Sequence, residues 1–264
     1  MSLAYERRGE GPELVLLHGL GHRRQAWDVV LPLVTPHRTV ITVDLPGHGE
    51  SPDFDAKGQD PVEAMGAQVI GLLEELKLDR PHIAGNSLGG ALALGAAARG
   101  HAKTAIGLSP AGFWAANWQY PYTRTVFKSM LAAGERLGPR VPRLASSTLG
   151  RTVLNGAIMA KPSRITPKQA EGDAISFFRA KDAINQVLDR RLEFTEAANI
   201  PSEVRVTIAW GAQDRLLQRS QGHVAKRYLP NARFILMPGC GHVPMTDNPE
   251  MVANVLLQGS REAA

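Results

Sequence analysis

Residues 82–95 read HIAGNSLGGALALG: a short apolar stub, a serine set among small residues, then a run rich in Ala and Leu. The stub suits a buried strand and the run a helix, so the chain passes from one to the other across Asn86-Ser87-Leu88. So direct a passage brings two backbones close together. The residue at its apex must take a positive φ, and the residues two positions away on either side must lack bulk. Gly85 and Gly89 meet that need. The bend holds the Ser87 hydroxyl above the strand ends at the start of a helix, where free N–H groups and the helix dipole favour developing negative charge. A serine that merely caps a helix needs neither glycine. The pattern is a Gly-x-Ser-x-Gly nucleophile elbow.

Outward from this turn, strand and helix signals alternate. Leu14–Leu17 and Val40–Val43 are short continuous apolar runs ending at His18-Gly19 and Asp44-Leu-Pro-Gly47, as expected of strands buried on both faces. Asp60-Pro61 opens a helix over 62–78, and Ala105–Leu108 is a further strand. The alternation stops after Ser109-Pro110. Residues 112–198 hold helical fragments punctuated by Pro121, Pro139, Pro142, Pro162 and Pro167. It then resumes with a strand at 204–210, a helix at 221–228, a strand at 234–237 and a helix at 249–257. This order predicts an α/β fold, a doubly wound and mostly parallel sheet built from 1–111 and 199–264, with 112–198 inserted as a helical lid.

Composition narrows the function. The 264 residues are 44% hydrophobic, enough for a large core. Cys240 is the sole cysteine, so no internal disulfide framework exists, and a reducing, cytoplasmic setting is expected. The N-terminal residues show no signal-peptide pattern, and no apolar run approaches the ~18 residues of a membrane span, so stable membrane insertion is not expected. The net charge of +5 is uneven: 112–198 carries 13 Lys and Arg against 7 Asp and Glu. These charges are scattered, which suits solvated helix faces better than a nucleic-acid surface. No residue pattern specifies an oligomeric state.

A serine hydroxyl is a weak nucleophile at neutral pH and needs a base, itself oriented by a third group. Asp214 follows the strand at 204–210, and His242 follows the strand at 234–237 in Pro238-Gly-Cys-Gly-His242. Both fall where parallel strands end and ligands bind. The strand at 105–108 ends in Ser109-Pro-Ala-Gly112 with no carboxylate, so Asp214 has no rival there. The oxyanion of an attacked carbonyl would meet the backbone N–H of Leu88 and that of Leu20, in the loop after the first buried strand.

The stretches LLHGLGHRRQAW (16–27), DLPGHGES (44–51), AGNSLGGALAL (84–94), WGAQDRL (210–216) and GCGHVPMTDNPE (239–250) occur in the order and spacing of the α/β-hydrolase family. The chain resembles that family over essentially its whole length. The resemblance implies a serine hydrolase cleaving an ester, thioester or lactone through an acyl-enzyme, without a cofactor or metal, on a small-molecule acyl substrate. Only Ser2–Arg7 precedes the first buried strand, so the family's usual first hairpin is expected to shrink to one edge strand. The resemblance also leaves open carbon–carbon hydrolysis of ring-cleavage products, whose enzymes are similar at Gly85-Asn86-Ser87, although Val243-Pro244 stands where they carry an aromatic residue. A slow-turnover binding protein on the same fold is the alternative outside catalysis.

Other residues have plainer readings. His18 and Asp44 are expected to brace loops beneath the site, and Cys240 to be structural. His22, His48 and His223 have no assigned role. Phe113 and Trp114, at the entrance to the insertion, and Val243, beside His242, are expected to contact substrate. No His-Glu-x-x-His or zinc-spaced Cys/His cluster is present, and Gly19-x-Gly21-x-x-Arg24 lacks the third glycine of a dinucleotide fingerprint.

Overall fold

A computed structural model describes residues 2–261. Among these residues seven strands form one sheet: β1 (Tyr5–Arg8), β2 (Glu13–Leu17), β3 (Thr39–Val43), β4 (His82–Asn86), β5 (Thr104–Leu108), β6 (Arg205–Gly211) and β7 (Arg233–Met237). Their spatial order is β1-β3-β2-β4-β5-β6-β7. All neighbours pair in parallel except β1, which runs antiparallel to β3. Among the described residues the stretch before β2 supplies a single edge strand.

The apolar runs are continuous because both faces of the sheet are covered. Successive residues serve opposite cores. Val15 and Leu17, with Ile41, Val43 and Ile83, pack with Leu72, Leu92 and Leu94 on one side. Leu14 and Leu16, with Val40, Ala84 and Ile106, pack with Trp27, Val34, Val252 and Leu256 on the other. Each such leucine contributes about 1.5–3 kcal/mol by leaving water.

The covering helices are α1 (Leu31–Val34), α2 (Pro61–Glu75) and α3 (Leu88–Ala98) before the insertion. The Asp60 side chain caps α2, accepting from the N–H groups of Val62 and Glu63 at 2.9 and 3.1 Å. The helix stops at Glu75, short of the expected Leu78. Lys77 takes φ 53°, and the Leu78 N–H returns to the Leu73 carbonyl, closing the end in a Schellman-type turn. No glycine marks this end, and Leu76 and Leu78 extend the apolar pattern past it. Helix α3 is buried on all sides, which explains why it lacks a polar face.

Between β5 and β6 the chain leaves the sheet and forms α4 (Gln119–Leu137), α5 (Val141–Ser146), α6 (Thr148–Asn155), α7 (Pro167–Arg179) and α8 (Lys181–Leu188). It departs and returns at one place, where the Phe194 N–H donates to the Gly112 carbonyl at 3.1 Å. After β6 come α9 (Arg219–Tyr228), α10 (Pro244–Asp247) and α11 (Pro249–Gly259). Among the described residues no helix is long and apolar enough to cross a membrane.

Candidate active site

The elbow has the geometry its spacing implies. Ser87 lies between β4 and α3 with φ 56° and ψ −116°, a strained conformation for any residue but glycine. A Cβ at Gly85 would come within 2.2 Å of the Gly89 backbone, and one at Gly89 within 2.3 Å of the Leu17 carbonyl oxygen. The strand, the helix and the end of β2 therefore meet with no room for a methyl group. The Ser87 backbone is held from both sides, its N–H donating to Leu108 and its carbonyl accepting from Ala91 and Ala111.

His242 and Asp214, 28 residues apart in the chain, meet at the ends of β6 and β7. His242 Nδ1 lies 2.8 Å from Asp214 Oδ2, and both side chains are buried. The second carboxylate oxygen of Asp214 accepts from the N–H groups of Leu216 and Leu217 at 3.0 and 2.8 Å. A carboxylate holding two backbone donors presents its other oxygen as an acceptor, so Nδ1 carries the proton and Nε2 is left with the lone pair. Ser87 and His242 line one cavity; among the described residues no hydrogen bond joins the Ser87 hydroxyl to the ring.

That cavity encloses about 280 Å³. Its walls come mainly from the inserted helices, including Phe127 and Met130 of α4, Val141 of α5, Leu154 of α6 and Phe177 of α7. Gly19, Leu20 and Val243 complete the part nearest Ser87. The N–H groups of Leu20 and Leu88 form no hydrogen bond among the described residues, so both remain able to donate. Leu88 contributes only backbone there, since its side chain belongs to the core beside the sheet.

Phe113 and Trp114 do not line the cavity. Phe113 is packed between Phe194 and Tyr228, with ring centroids 5.4 and 6.3 Å away. Trp114 donates to the Leu192 carbonyl at 2.6 Å and meets Tyr120 edge-on. Both sit at the stalk where the inserted segment leaves and rejoins the sheet. Their aromatic character serves that junction, and only helices farther along reach over Ser87.

The histidines near the site act through their neutral rings. His18 Nε2 accepts the Leu45 N–H at 3.0 Å while Nδ1 donates to the Gly19 carbonyl at 2.8 Å. His48 works alike, accepting the Gly21 N–H at 3.0 Å and donating to the Pro46 carbonyl at 2.9 Å. The two rings tie the loop carrying Leu20 to the loop after β3. Burial drives the pKa of His18 well below its ordinary value and that of His48 to about 4, so both bonds persist at neutral pH. Asp44 accepts from the Arg24 backbone and guanidinium and from the Glu50 N–H. Burial pushes the Cys240 thiol up to about 11, leaving it protonated and unreactive. His223 is exposed on α9.

Two supporting residues escape a reading of the sequence. Asn86, beside Ser87, donates to the Leu108 carbonyl at 3.0 Å and to the His242 carbonyl at 2.8 Å, tying the elbow to the histidine loop. Asp247 accepts from the N–H groups of Gly241, Ala160 and Lys161 at 2.7, 3.0 and 2.6 Å. It anchors both the histidine loop and the inserted segment. A short polar residue near a motif is the only sequence signal for either. Among the described residues no group of three or more His, Cys, Asp or Glu side chains is disposed to hold a metal ion.

A profile described as the alpha/beta hydrolase family matches residues 14–255, and the chain belongs to that family. It is 28% identical to a dihydrolipoyllysine-residue acetyltransferase component of an acetoin cleaving system from Pseudomonas putida; the match takes in 96% of this chain and spans 65% of that relative's length. It is 26% identical to a pimeloyl-[acyl-carrier protein] methyl ester esterase from Nitrosomonas europaea, over 94% of this chain and 96% of the other. A hydrolase of known structure from Pseudomonas aeruginosa shares the fold with a TM-score of 0.75, 22% identity, and coverage of 97% of this chain and 93% of that one.

Proposed function

We propose that this chain is a serine hydrolase acting on the ester bond of a substrate with an apolar acyl group. One observation carries the proposal: His242, paired with Asp214, and the strained Ser87 share the wall of a single apolar cavity. In this mechanism the Ser87 Oγ attacks the carbonyl carbon as its proton passes to His242 Nε2. Asp214 keeps Nδ1 protonated and stabilises the imidazolium. The tetrahedral oxyanion takes hydrogen bonds from the Leu20 and Leu88 N–H groups, each worth about 10²–10³ in kcat. His242 then protonates the leaving alcohol, and water activated by the same ring releases the acid. Such hydrogen bonds often tighten only when substrate binds, so contact between Ser87 and His242 is expected in the complex.

Residues 112–198 act as the lid. Their helices supply most of the apolar wall, so they set which acyl group fits. The cavity volume lies near the lower end of the range for small-molecule sites, about 300–1,000 Å³, which favours short to medium acyl groups. The methyl ester esterase among the relatives supports ester chemistry, and no cofactor enters any step.

The test is labelling with a fluorophosphonate followed by turnover of p-nitrophenyl esters of increasing chain length. Label on Ser87, with Ser87→Ala and His242→Ala each reducing kcat by roughly 10⁴-fold or more and Asp214→Asn by about 10⁴, is the expected result. Undiminished hydrolysis by folded Ser87→Ala protein would refute the mechanism. A dienone ring-cleavage product consumed faster than any ester would assign the same serine to carbon–carbon bonds.

A further inference from the structure

The most exposed large apolar side chains among the described residues are Leu149, at 76%, and Val153, at 69%. They stand four residues apart on α6, so they share one face of that helix. Leu144 of the neighbouring α5 is exposed as well. Only Ser147 separates the two helices, its hydroxyl donating to the Leu144 carbonyl at 2.8 Å and accepting the Gly150 N–H at 3.0 Å. Gly150 fits so closely that a Cβ there would lie 1.8 Å from the Leu144 carbonyl oxygen. The buried Arg151 closes the corner by donating to the Ser146 carbonyl at 2.5 Å. A tightly bonded turn thus presents these apolar side chains to water.

Charge around this corner has one sign. Residues 136–170 contain seven Lys and Arg and no Asp or Glu. Arg151, Lys161 and Arg164 are engaged with the protein itself, the last two at the Asp247 carbonyl. Arg136, Arg140 and Arg143 are exposed, and their side chains form no hydrogen bond or ion pair among the described residues. Arg140 stands one helical turn before Leu144, and Arg143 immediately before it. Aliphatic residues beside unpaired cations match the boundary of an anionic lipid leaflet, which offers headgroups to the arginines and hydrocarbon to the leucines. Val153 also lines the cavity that holds Ser87, as do Val141 and Leu137 of the same segment. The exposed apolar surface therefore continues inward to the site.

We propose that the α5–α6 corner docks reversibly on an anionic lipid surface, and that an apolar acyl substrate enters the cavity from that surface. Docking stands apart from the hydrolase reading, whereas entry of an acyl substrate rests on it.

The test is flotation of the intact protein with vesicles of equal parts phosphatidylglycerol and phosphatidylcholine, against vesicles of phosphatidylcholine alone. We expect binding at least tenfold tighter to the anionic vesicles, weakening as salt is raised. Each arginine near such a surface contributes roughly fivefold, so Arg140→Gln with Arg143→Gln should lower the binding constant tenfold or more. Leu149→Gln with Val153→Gln should lower it by as much. Arg205→Gln with Arg227→Gln removes the same charge from exposed positions outside 112–198 and should change it less than threefold. All six positions are exposed, and urea unfolding confirms that each variant is folded. Equal binding to both vesicle types, undiminished binding by either corner variant, or an equal loss from the distant pair overturns the docking surface. Binding to soluble poly-glutamate but not to vesicles overturns it likewise and reassigns the corner to an acidic protein.

Entry from the surface is read as a ratio: turnover of an ester embedded in the anionic vesicles over turnover of a short soluble ester. That ratio should fall tenfold in the arginine variant, and an unchanged ratio overturns entry. Fluorophosphonate labelling of Ser87 is scored separately. Labelling without vesicle binding removes the docking surface alone, and vesicle binding without labelling removes the hydrolase mechanism alone.

Discussion

Ser87 holds a backbone conformation that costs of order 1–3 kcal/mol, and its surroundings maintain it. The cost is borne because Gly85, Gly89 and the β2 end close around the turn with backbone atoms that cannot yield. Gly85→Ala would drive its methyl into the Gly89 backbone and should destabilise the protein by about 3 kcal/mol, read from urea denaturation. A loss under about 0.5 kcal/mol would mean that the turn is looser than these approaches require. At this scale the sequence is unusually readable. Glycines two positions either side of a serine seldom serve anything but a cramped turn, and Ser87, Asp214 and His242 each stand at a strand end. Asn86 was not readable, because a carbonyl 156 residues away is what its amide holds.

Elements join at the site through one buried carboxylate. Asp247, at the end of α10, gathers N–H groups from the histidine loop and from the start of the segment leading into α7, and its own carbonyl accepts from Arg164 at 2.7 Å. Asp247→Ala would leave the buried Gly241 N–H and the half-buried Ala160 and Lys161 N–H groups without their acceptor. We expect a loss of about 3 kcal/mol or more together with reduced ester turnover, since the His242 loop loses its anchor. A stability change without any change in turnover would show that the loop is held from elsewhere. The ends of elements were harder to foresee than their existence. Helix α2 stops at a positive-φ lysine with no glycine, so periodicity ran past it. Phe113 and Trp114 looked like a pocket because aromatics clustered where the insertion begins; their partners, Phe194, Leu192 and Tyr228, lie over 75 residues on.

For the molecule as a whole, three neutral histidines, His18 and His48 buried and His22 half-buried, tie stability to pH. His18, His22 and His48 have pKa values lowered by burial, so between about pH 6.5 and the lowered values the unfolded chain binds more protons than the folded one. Stability therefore rises with pH across that window and is lost as pH falls through it. His48 alone, with a folded value of about 4, should cost about 2 kcal/mol on going from pH 7 to pH 5. His48→Gln keeps an acceptor for the Gly21 N–H and removes the titration. The difference in urea-derived stability between pH 7 and pH 5 should shrink by about that amount, and an unchanged difference would show that His48 is not held neutral.

Taken alone, the order of residues determined the layered sheet and the cramped turn at Ser87, and it singled out Asp214 and His242 as the acid and histidine of the proposed mechanism. These depend on local rules: apolar runs for doubly covered strands, small residues for a cramped turn, and functional side chains at strand ends. Tertiary structure alone decided which side chains enclose the cavity and which residues clamp the loops. Those facts come from contacts between segments as much as 156 residues apart, and from inserted helices that fold back over the sheet. Periodicity and spacing carry no information about such encounters, because the energy that selects them arises only when the distant surfaces pack.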